Sequence, residues 1–352
     1  MTRRPPRNGE IREEIQNTLL IDGSSIYKIG FHGSHDEYNS KGEHIGGLYQ
    51  FLTVFRKLLT ENLYHKAYVF WDGPFSGKLR YNFYKDYKSK RNKDYINGTQ
   101  PTDESELKQK KLVWEYLNEL SIRQIQHEVV EADDFIAYYC LNKKQNEKIT
   151  IATSDKDMLQ LINDDVKIYF GNLKVYVDNT NFSKYFCYHH TNSCLMKTIT
   201  GDSSDSIKGI KGVGEDTLIN LFPELSSETL TLNDIITKAS ILQEERLKSK
   251  KKPLKSLTNL IDRVTDGIQG KLIYEINDTL VNLKNPLLTE DAIDELESLK
   301  NGYFEPNENG YQNIMKFMKR DEMDKAIGET RYPDYLIPFK KLNQREIKQK
   351  IN

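Results

Sequence analysis

Nine carboxylates in this sequence have the spacing and surroundings that suit metal-ion chemistry. Glu131, Asp133 and Asp134 follow the apolar run HEVV, and Asp155 and Asp157 follow the apolar run ITIAT. Short β-branched apolar runs are typical of buried strands. These acids are therefore expected at the carboxyl ends of two core strands, the edge where open α/β sheets bind ligands. Like charges gathered there repel one another, which favours a site that holds cations.

Four more acids extend this group. Asp22 follows the run LLI and Asp72 follows the run AYVFW, and each is followed by a glycine. A lone Asp after a strand is usually a turn residue or a helix cap, but the repeated ending makes that interpretation weaker for each. Downstream, Asp202 and Asp205 are three residues apart.

The chemistry that such a group favours is phosphodiester hydrolysis. Hard divalent cations such as Mg²⁺ and Mn²⁺ prefer oxygen ligands, and two of them ~3.5–4 Å apart can activate water and stabilise a leaving oxygen. Glu131 and Asp134 would share one helix face, at a helix start where the macrodipole favours negative charge.

A basic, aromatic segment lies between the second and third acids. Its cations are Lys78, Arg80, Lys85, Lys88, Lys90, Arg91 and Lys93, against the single acid Asp86, and its tyrosines are Tyr81, Tyr84 and Tyr87. Cations neutralise phosphates and rings stack on exposed bases, so the segment is a candidate for nucleic-acid binding. A solvated surface helix explains the charges equally well at this point.

A glycine-rich segment follows the last acids. Gly209, Gly212 and Gly214, with Lys211 among them, precede a predicted helix that contains Leu218. Glycines let backbone amides approach a ligand, and a helix N-terminus adds further amides. The segment predicts a contact to a duplex phosphate backbone, which carries no sequence information. A glycine-rich turn between packed helices is the alternative.

The remaining pattern predicts an α/β fold. Buried strands are predicted at 19–21, 67–71 and 166–170, and amphipathic helices at 45–59 and 108–122. Alternating strands and helices give a mostly parallel sheet with helices on both faces. Residues 226–300 read as helical around the basic run 247–255, for which a solvated loop is slightly favoured over a second phosphate contact.

Composition sets the outer limits. The 352 residues include 37% hydrophobic and 29% charged side chains, with a net charge of −1 and three cysteines. We expect a soluble cytoplasmic protein without a disulfide framework or signal peptide. The N-terminal lead-in 1–17 and the basic C-terminal tail 336–352 are expected to be poorly ordered.

Five motifs together resemble the 5′-nuclease superfamily. They are LLIDGSS at 19–25, VFWDG at 69–73, VEADD at 130–134, TSDKDMLQL at 153–161 and GDSSDSIKGIKGVGEDT at 201–217. Each is weak alone, but five in the family's order are specific. The chain is similar to flap endonucleases and to the 5′-nuclease domain of bacterial DNA polymerase I, and it looks most like the free-standing bacteriophage RNase H and 5′-exonuclease enzymes.

The resemblance implies a domain plan. It implies a PIN-like α/β nuclease domain at 18–194, with a basic arch at about 74–107. A helical C-terminal domain at 195–335 would follow, with a helix-three-turn-helix at about 195–222.

The resemblance also implies roles for the residues. The metal site would be formed by Asp22, Asp72, Glu131, Asp133, Asp134, Asp155 and Asp157, with Asp202 and Asp205 in the outer sphere of the second ion. Arg80, Lys85 and Arg91 would steer the scissile phosphate. DNA would also be bound by Lys78, Tyr81, Tyr84, Tyr87, Lys88, Gly209, Lys211, Gly212 and Gly214. A potassium ion at the 209–214 turn is expected in the family, but Ser206 and Asp216 replace its usual Asn and Lys.

The expected function is removal of RNA primers and 5′ flaps during DNA replication or repair. Branched or flapped DNA and RNA–DNA hybrids would be the substrates of a monomer, with a single-strand-binding protein or a sliding clamp as a protein partner. An RNA-processing PIN-type ribonuclease and an inactive DNA-binding scaffold are the alternatives. Zinc at Cys187, His189, His190 and Cys194 is disfavoured by cramped spacing, and clamp docking through Tyr335–Phe339 is disfavoured because such pairs usually pack on the body.

Overall fold

A six-stranded sheet forms the centre of the molecule. The computed structural model describes residues 14–34, 37–89, 104–265, 268–269, 273–328 and 332–348. The strands are β1 (Gln16–Asp22), β2 (Lys66–Trp71), β3 (Arg123–Gln126), β4 (Glu147–Thr153), β5 (Val166–Phe170) and β6 (Val175–Val177). Their order is β3-β2-β1-β4-β5-β6, and every neighbouring pair is parallel except β5 with β6. The predicted mostly parallel α/β sheet is confirmed.

The helices of the first half connect these strands. They are α1 (Gly23–Gly33), α2 (Gly46–Glu61), α3 (Lys78–Phe83), α4 (Glu104–Glu119) and α5 (Ala132–Leu141), with a 3₁₀ turn at Lys156–Leu161 after β4. The apolar stripe predicted for α2 is confirmed, because Leu48, Phe51, Leu52, Phe55, Leu58 and Leu59 are all buried. Residues 90–103 of the arch predicted at about 74–107 lie outside the described residues, and Glu104 begins α4.

The second half is mostly helical, as predicted. Its helices are α6 (Ser193–Thr200), α7 (Glu215–Leu221), α8 (Leu232–Lys248), α9 (Lys255–Asp262), α10 (Ile273–Val281), α11 (Glu290–Asn301), α12 (Gly310–Arg320), α13 (Met323–Ile327), α14 (Tyr332–Tyr335) and α15 (Ile337–Lys348). Short strand pairs are β7 (Gly201–Asp202) with β8 (Ile207–Lys208) and β9 (Val264–Thr265) with β10 (Ile268–Gln269), and further 3₁₀ turns lie at Phe182–Lys184, His190–Asn192 and Pro223–Ser226. Among the described helices, none combines the length and the apolar character that crossing a bilayer requires.

The two faces of the sheet bury different parts of the chain. Side chains of a strand alternate between faces, so Leu19 and Ile21 belong to one core and Leu20 to the other. The Leu19 face packs against α1, α2, α4 and the helices after residue 310. The Leu20 face packs against α5 to α11. The chain beyond residue 195 therefore covers both faces of the sheet rather than one.

The C-terminal segment is ordered where the sequence predicted a mobile tail. That prediction was wrong over 337–348, which form α15, with Phe339 and Leu342 buried. The Phe339 ring meets Phe55 of α2 edge-to-face, with centroids 5.2 Å apart. Two apolar residues among many charged ones were enough to dock the helix, because tertiary packing stabilises helices more than propensity does.

Replacing Phe339 with Ala tests this docking. The ring has no exposed surface, so its loss should cost roughly 3–5 kcal/mol of unfolding free energy. Urea unfolding of Phe339→Ala measures the cost. The control Lys340→Ala alters the exposed neighbour and should stay within about 0.5 kcal/mol of wild type. Equal stability of both variants would contradict a docked α15.

Candidate metal centre and nucleic-acid interface

Three of the predicted acids follow adjacent strands at one edge of the sheet. β2, β1 and β4 are neighbours and run parallel, and Asp72, Asp22 and Asp155 lie at or just after their carboxyl ends. The charges of Asp72 and Asp155 act to raise the pKa of Asp22, and the charge of Asp72 acts in the same direction on the pKa of Glu131. The sheet order therefore gathers acids that are up to 133 residues apart in the chain into one cluster.

Asp22 has one of the roles that the sequence left open, that of a helix cap. It caps α1, accepting a hydrogen bond from Ser25 N–H at 3.0 Å, while its second oxygen accepts from Thr153 Oγ1 at 2.8 Å. Burial and the neighbouring Asp72 raise the pKa of Asp22 to about 7 despite these donors. An electrostatic deficit of this kind is what a bound cation relieves.

Asp72 joins the sheet to the start of α5. Its carboxylate accepts a hydrogen bond from Ala132 N–H at 3.0 Å. Burial would raise the pKa of Asp72, but the positive charge of Lys88 and this N–H outweigh burial, and the pKa is lowered. Asp72 is therefore ionised and faces the first turn of α5.

The first turn of α5 carries a compact acidic triad. Glu131, Asp133 and Asp134 each present a carboxylate oxygen, and these oxygens lie within 4.8 Å of one another. Burial and the adjacent Asp134 raise the pKa of Asp133 well above its usual value. Burial acts in the same direction on Glu131, but Lys88 and Arg80 outweigh it and lower the pKa of that carboxyl.

Arg80 lies inside the site. It is 4% exposed, and its guanidinium donates to both oxygens of Asp134 at 2.6 and 2.9 Å and to Glu131 at 2.5 Å. Its Nε–H donates to the carbonyl of Leu280 at 2.9 Å. The structure thus places Arg80 as a buried counter-ion of the acids, where the sequence predicted a cation that steers a phosphate from the arch.

Two more residues of the basic segment turn inward. Tyr87 and Lys88 are buried; the Tyr87 hydroxyl donates to Glu131 at 3.0 Å, and Lys88 Nζ forms an ion pair with the other Glu131 oxygen. The backbone of Lys88 is left-handed, with φ of 52°, at the place where these side chains contact the acids. Tyr87 and Lys88, which the sequence predicted to bind DNA, thus contact the acids in this structure.

The other members of the predicted arch set lie elsewhere. Lys78 and Lys85 are exposed, and Lys85 Nζ sits 4.5 Å from the centre of the half-buried Tyr81 ring. Tyr84 packs beside Tyr87. Arg91 falls outside the described residues. Of the predicted catalytic cations that the structure describes, Arg80 therefore reaches the acids and Lys85 does not; Lys88, predicted to bind DNA, also reaches them.

A third cation, Lys197 of α6, was missed by the sequence analysis. Its Nζ forms ion pairs with Asp157 and with Asp202, the latter at 2.7 Å. Burial would raise the pKa of Asp202, but Lys197 outweighs it and holds that pKa at about 2. The sequence did contain a local signal for this contact, because Lys197 lies only five residues before Asp202.

Asp205 faces the base of the arch. Its backbone carbonyl accepts from Lys88 N–H at 2.8 Å, and its carboxylate accepts from Tyr87 at 3.4 Å. The second acid pair is thus tied to the first cluster through Lys197 on one side and through Tyr87 and Lys88 on the other.

The segment 280–287 walls the site and was also missed. Besides Leu280, which accepts from Arg80, Leu287 N–H donates to Asp134 at 2.9 Å. Val281 and Leu283 bracket Gln160 of the turn after β4, through hydrogen bonds of 2.9 and 2.8 Å. No local pattern distinguishes this apolar segment, because its role depends on contacts more than 100 residues away in sequence.

The glycine segment has the predicted form of two helices joined by tight turns. Between α6 and α7 the strands β7 and β8 make a short hairpin. A Cβ at Gly209 would lie 1.9 Å from the carbonyl oxygen of Thr200, so only glycine fits there, and Gly212 adopts φ of +73°. Gly212, Gly214 and Lys211 are exposed, which leaves this turn accessible to a backbone ligand.

The two departures from the family's pattern have structural counterparts. Ser206 adopts φ of 61°, a left-handed conformation that Asn tolerates better than Ser. Asp216 and Glu215 occupy the exposed first turn of α7, where the macrodipole favours them. Acids at this position stabilise α7 but repel phosphate.

The donor set fits a hard divalent cation. All ligand candidates are carboxylate oxygens, the type that Mg²⁺, Mn²⁺ and Ca²⁺ prefer, and burial together with the neighbouring Asp72 raises the pKa of Asp22. Within the described part of the chain, the acidic triad is the one group of three His, Cys, Asp or Glu residues close enough to share an ion. The disfavoured zinc set at 187–194 does not form such a group.

Comparison with known proteins gives consistent relatives. A family model for the 5′-3′ exonuclease N-terminal resolvase-like domain matches residues 17–186. The chain is 27% identical over 289 residues to a 5′-3′ exonuclease of Mycoplasmopsis pulmonis, a match that covers 80% of this chain and 90% of that protein. It spans only about a quarter (24%) of the length of a DNA polymerase I of Thermus caldophilus that it also matches.

Solved structures show the same fold. A 5′-exonuclease of bacteriophage T5 with bound zinc ions superposes with a TM-score of 0.58 at 19% identity, covering 87% of this chain and 99% of that one. A bacteriophage T5 flap endonuclease in a pseudo-enzyme–product complex with DNA and metal ions also gives 0.58 at 19% identity, covering 86% and 98%.

The buried position of Arg80 gives a stability prediction. Removing one partner of a buried ion pair leaves uncompensated charge and costs roughly 3–5 kcal/mol, so Arg80→Met should lower the unfolding free energy by that amount in EDTA. Lys85→Met removes an exposed cation of the same segment and should change stability by less than about 0.5 kcal/mol. If Arg80→Met unfolds at the same urea concentration as wild type, Arg80 does not hold the acids together.

Proposed function

We propose that this chain is a divalent-metal-dependent, structure-specific 5′→3′ nuclease of the 5′-nuclease superfamily, on the premise of the family model that matches residues 17–186. The observation that carries the proposal is the cluster of acids at one sheet edge, flanked by the basic segment on one side and by the glycine hairpin on the other. Neither a binding module nor a scaffold needs so many desolvated carboxylates in one place.

The metal would be Mg²⁺, with Mn²⁺ able to replace it. Its ligands would come from Asp22, Asp72, Glu131, Asp133, Asp134, Asp155 and Asp157, with Asp202 and Asp205 in the outer sphere. When bound, a pair of such ions activates water and stabilises the leaving oxygen of a phosphodiester. The protein holds these carboxylates in place with hydrogen bonds to Asp22 and Asp72 and with the cations Arg80 and Lys197.

We assign phosphate positioning to Lys88 rather than to Lys85. Lys88 reaches Glu131 from the base of the predicted arch, whereas Lys85 lies on the half-buried Tyr81 ring. A lysine is a flexible point charge, so its ammonium can exchange a carboxylate for a substrate phosphate. Arg80 is a positioning residue, since its two-pronged contact to Asp134 and its bond to Leu280 occupy the guanidinium. Arg91 stays a predicted phosphate contact.

Duplex DNA would be held by the turn between α6 and α7. The exposed amides around Gly212 and Gly214 can approach a phosphate backbone, and a potassium ion at this turn is part of the proposal. Lys78, Tyr81 and the arch would contact the single-stranded 5′ end, with ring stacking on exposed bases.

The proposed substrates are 5′ flaps and RNA primers on DNA, so RNase H-type activity is included. The protein would act as a monomer beside a single-strand-binding protein or a sliding clamp. A clamp would not dock through Tyr335 or Phe339, because both rings are buried against α2. The PIN-type ribonuclease is less favoured, since the α6–α7 turn suits a duplex.

Cleavage of a 5′-labelled flap tests the main proposal. Wild type should cut near the junction with Mg²⁺ and not in EDTA. The variant Asp155→Asn should cut at least roughly 10²-fold more slowly, because the reaction loses a charged group at the reacting centre. An RNA–DNA hybrid measured in parallel tests RNase H-type activity. Metal-dependent cutting of single-stranded RNA but not of the flap would favour the ribonuclease instead. If neither substrate is cut in the presence of metal, the inactive DNA-binding scaffold is the interpretation that remains.

The lysine assignment is tested by a matched pair. Lys88→Ala should lower kcat by about 10²–10³-fold, the usual loss for one charge-stabilising donor, while Lys85→Ala should retain nearly full kcat and change at most KM. Single-turnover cleavage measures both, and circular dichroism checks that each variant folds. A larger loss for Lys85→Ala than for Lys88→Ala would reverse the assignment.

A further inference from the structure

The tip of the α8–α9 hairpin carries a concentrated positive charge that no part of the proposed site uses. Residues 244–255 contain six cations and two acids, a net charge of +4 in a chain whose total is −1. The cations are Arg246, Lys248, Lys250, Lys251, Lys252 and Lys255. We call residues 246–255 the lysine tip.

The lysine tip is a braced structure. Gln243 of α8 clamps Leu254 at the start of α9, accepting from its N–H at 3.0 Å and donating to its carbonyl at 3.2 Å. Arg246 donates to the carbonyl of Lys252 at 3.3 Å, and Lys251 N–H donates to the carbonyl of Arg246 at 2.9 Å. The lysines are therefore held at a fixed place at the end of the hairpin, although the segment is a loop, as the sequence favoured.

Nothing in the described chain neutralises this charge. Lys248 has one long ion pair, 3.9 Å from the exposed Glu244, which is worth little. Lys250, Lys251, Lys252 and Lys255 are exposed and form no ion pair among the described residues. Unpaired like charges repel one another, and a polyanion relieves that repulsion.

The hairpin is anchored directly on the α6–α7 turn. Asn259 of α9 donates to the carbonyl of Lys211 at 2.7 Å, and Lys211 N–H donates to Val264 at 2.9 Å. Thr265 donates to the carbonyl of Gly209 at 2.8 Å. The helix α9 begins at Lys255, four residues before Asn259, so about one helical turn separates this anchor from the lysine tip.

The α6–α7 turn presents acids as well as amides to a backbone ligand. The turn itself is a weak electrostatic grip, because Glu215 and Asp216 stand beside the exposed Gly214. A duplex that lies on the turn needs positive charge from another part of the protein, and the lysine tip is fixed next to it.

We infer that the lysine tip is a second phosphate-backbone contact, which holds the duplex arm beside the α6–α7 turn. This inference rests on the proposed function, since it takes a duplex on that turn as given. The contact reads no sequence and sets how much duplex the protein needs for tight binding.

The test measures the salt dependence of DNA binding. Fluorescence anisotropy of a labelled flap DNA in EDTA, with a duplex arm of two helical turns, gives the affinity of wild type and of Lys250→Gln/Lys251→Gln/Lys252→Gln over a range of KCl. With each lost phosphate contact worth ~0.9 in the slope of log K against log[KCl], the triple variant should have a slope shallower by about 2–3 and should bind more weakly at low salt. The difference should vanish when the arm is cut to half a turn.

A matched control carries the same charge change elsewhere. Lys340→Gln/Lys341→Gln/Lys348→Gln alters three exposed lysines of α15, on the opposite face of the sheet, and should keep the wild-type slope. A lysine-tip variant with the wild-type slope, or one equally weakened on the short arm, would overturn the inference. Flap cleavage by wild type in Mg²⁺ is measured alongside, so a failure of the proposed function shows as absent cleavage and a failure of the inference as unchanged binding.

Discussion

Electrostatic repulsion among carboxylates at one sheet edge is the constraint on which the rest of this structure depends. Two like charges 4 Å apart repel by about 4 kcal/mol even at an effective dielectric constant of 20, and the α5 triad alone places three carboxylates within 4.8 Å. The chain meets this cost by delivering cations from distant elements. Arg80 comes from α3, Lys88 from the turns after α3, and Lys197 from α6.

Arg80 and Lys88 are held in different ways. Arg80 is locked by four hydrogen bonds that also fix Asp134 and the 280–287 wall, whereas Lys88 meets Glu131 through one flexible ammonium. Tyr87 and Lys88 also touch Asp205, so the predicted arch, the acidic cluster and the residues just before the α6–α7 glycines share one hydrogen-bond network.

Features of the protein that depend on local sequence patterns were predictable. The acids after β1, β2 and β4 follow from strand-end patterns, and α2 from its apolar period. Contacts between distant segments were not predictable in this way. The basic segment was predicted to bind nucleic acid or to be a solvated helix, because its spacing cannot show that Arg80 and Lys88 would contact buried acids more than 40 residues ahead. Lys110 could have been found from a local pattern. It lies three residues before Val113 and seven before Leu117, which places it on the buried side of α4. Its charge there interacts with that of Asp72.

The most direct test of the central claim is to locate metal in the cluster by anomalous scattering from crystals grown with Mn²⁺ and a product DNA. The account predicts Mn²⁺ peaks among the carboxylates of Asp22, Asp72, Glu131, Asp133, Asp134, Asp155 and Asp157, with the duplex backbone on the α6–α7 turn. Crystals that show the DNA on that turn but no Mn²⁺ peak among these carboxylates would contradict it.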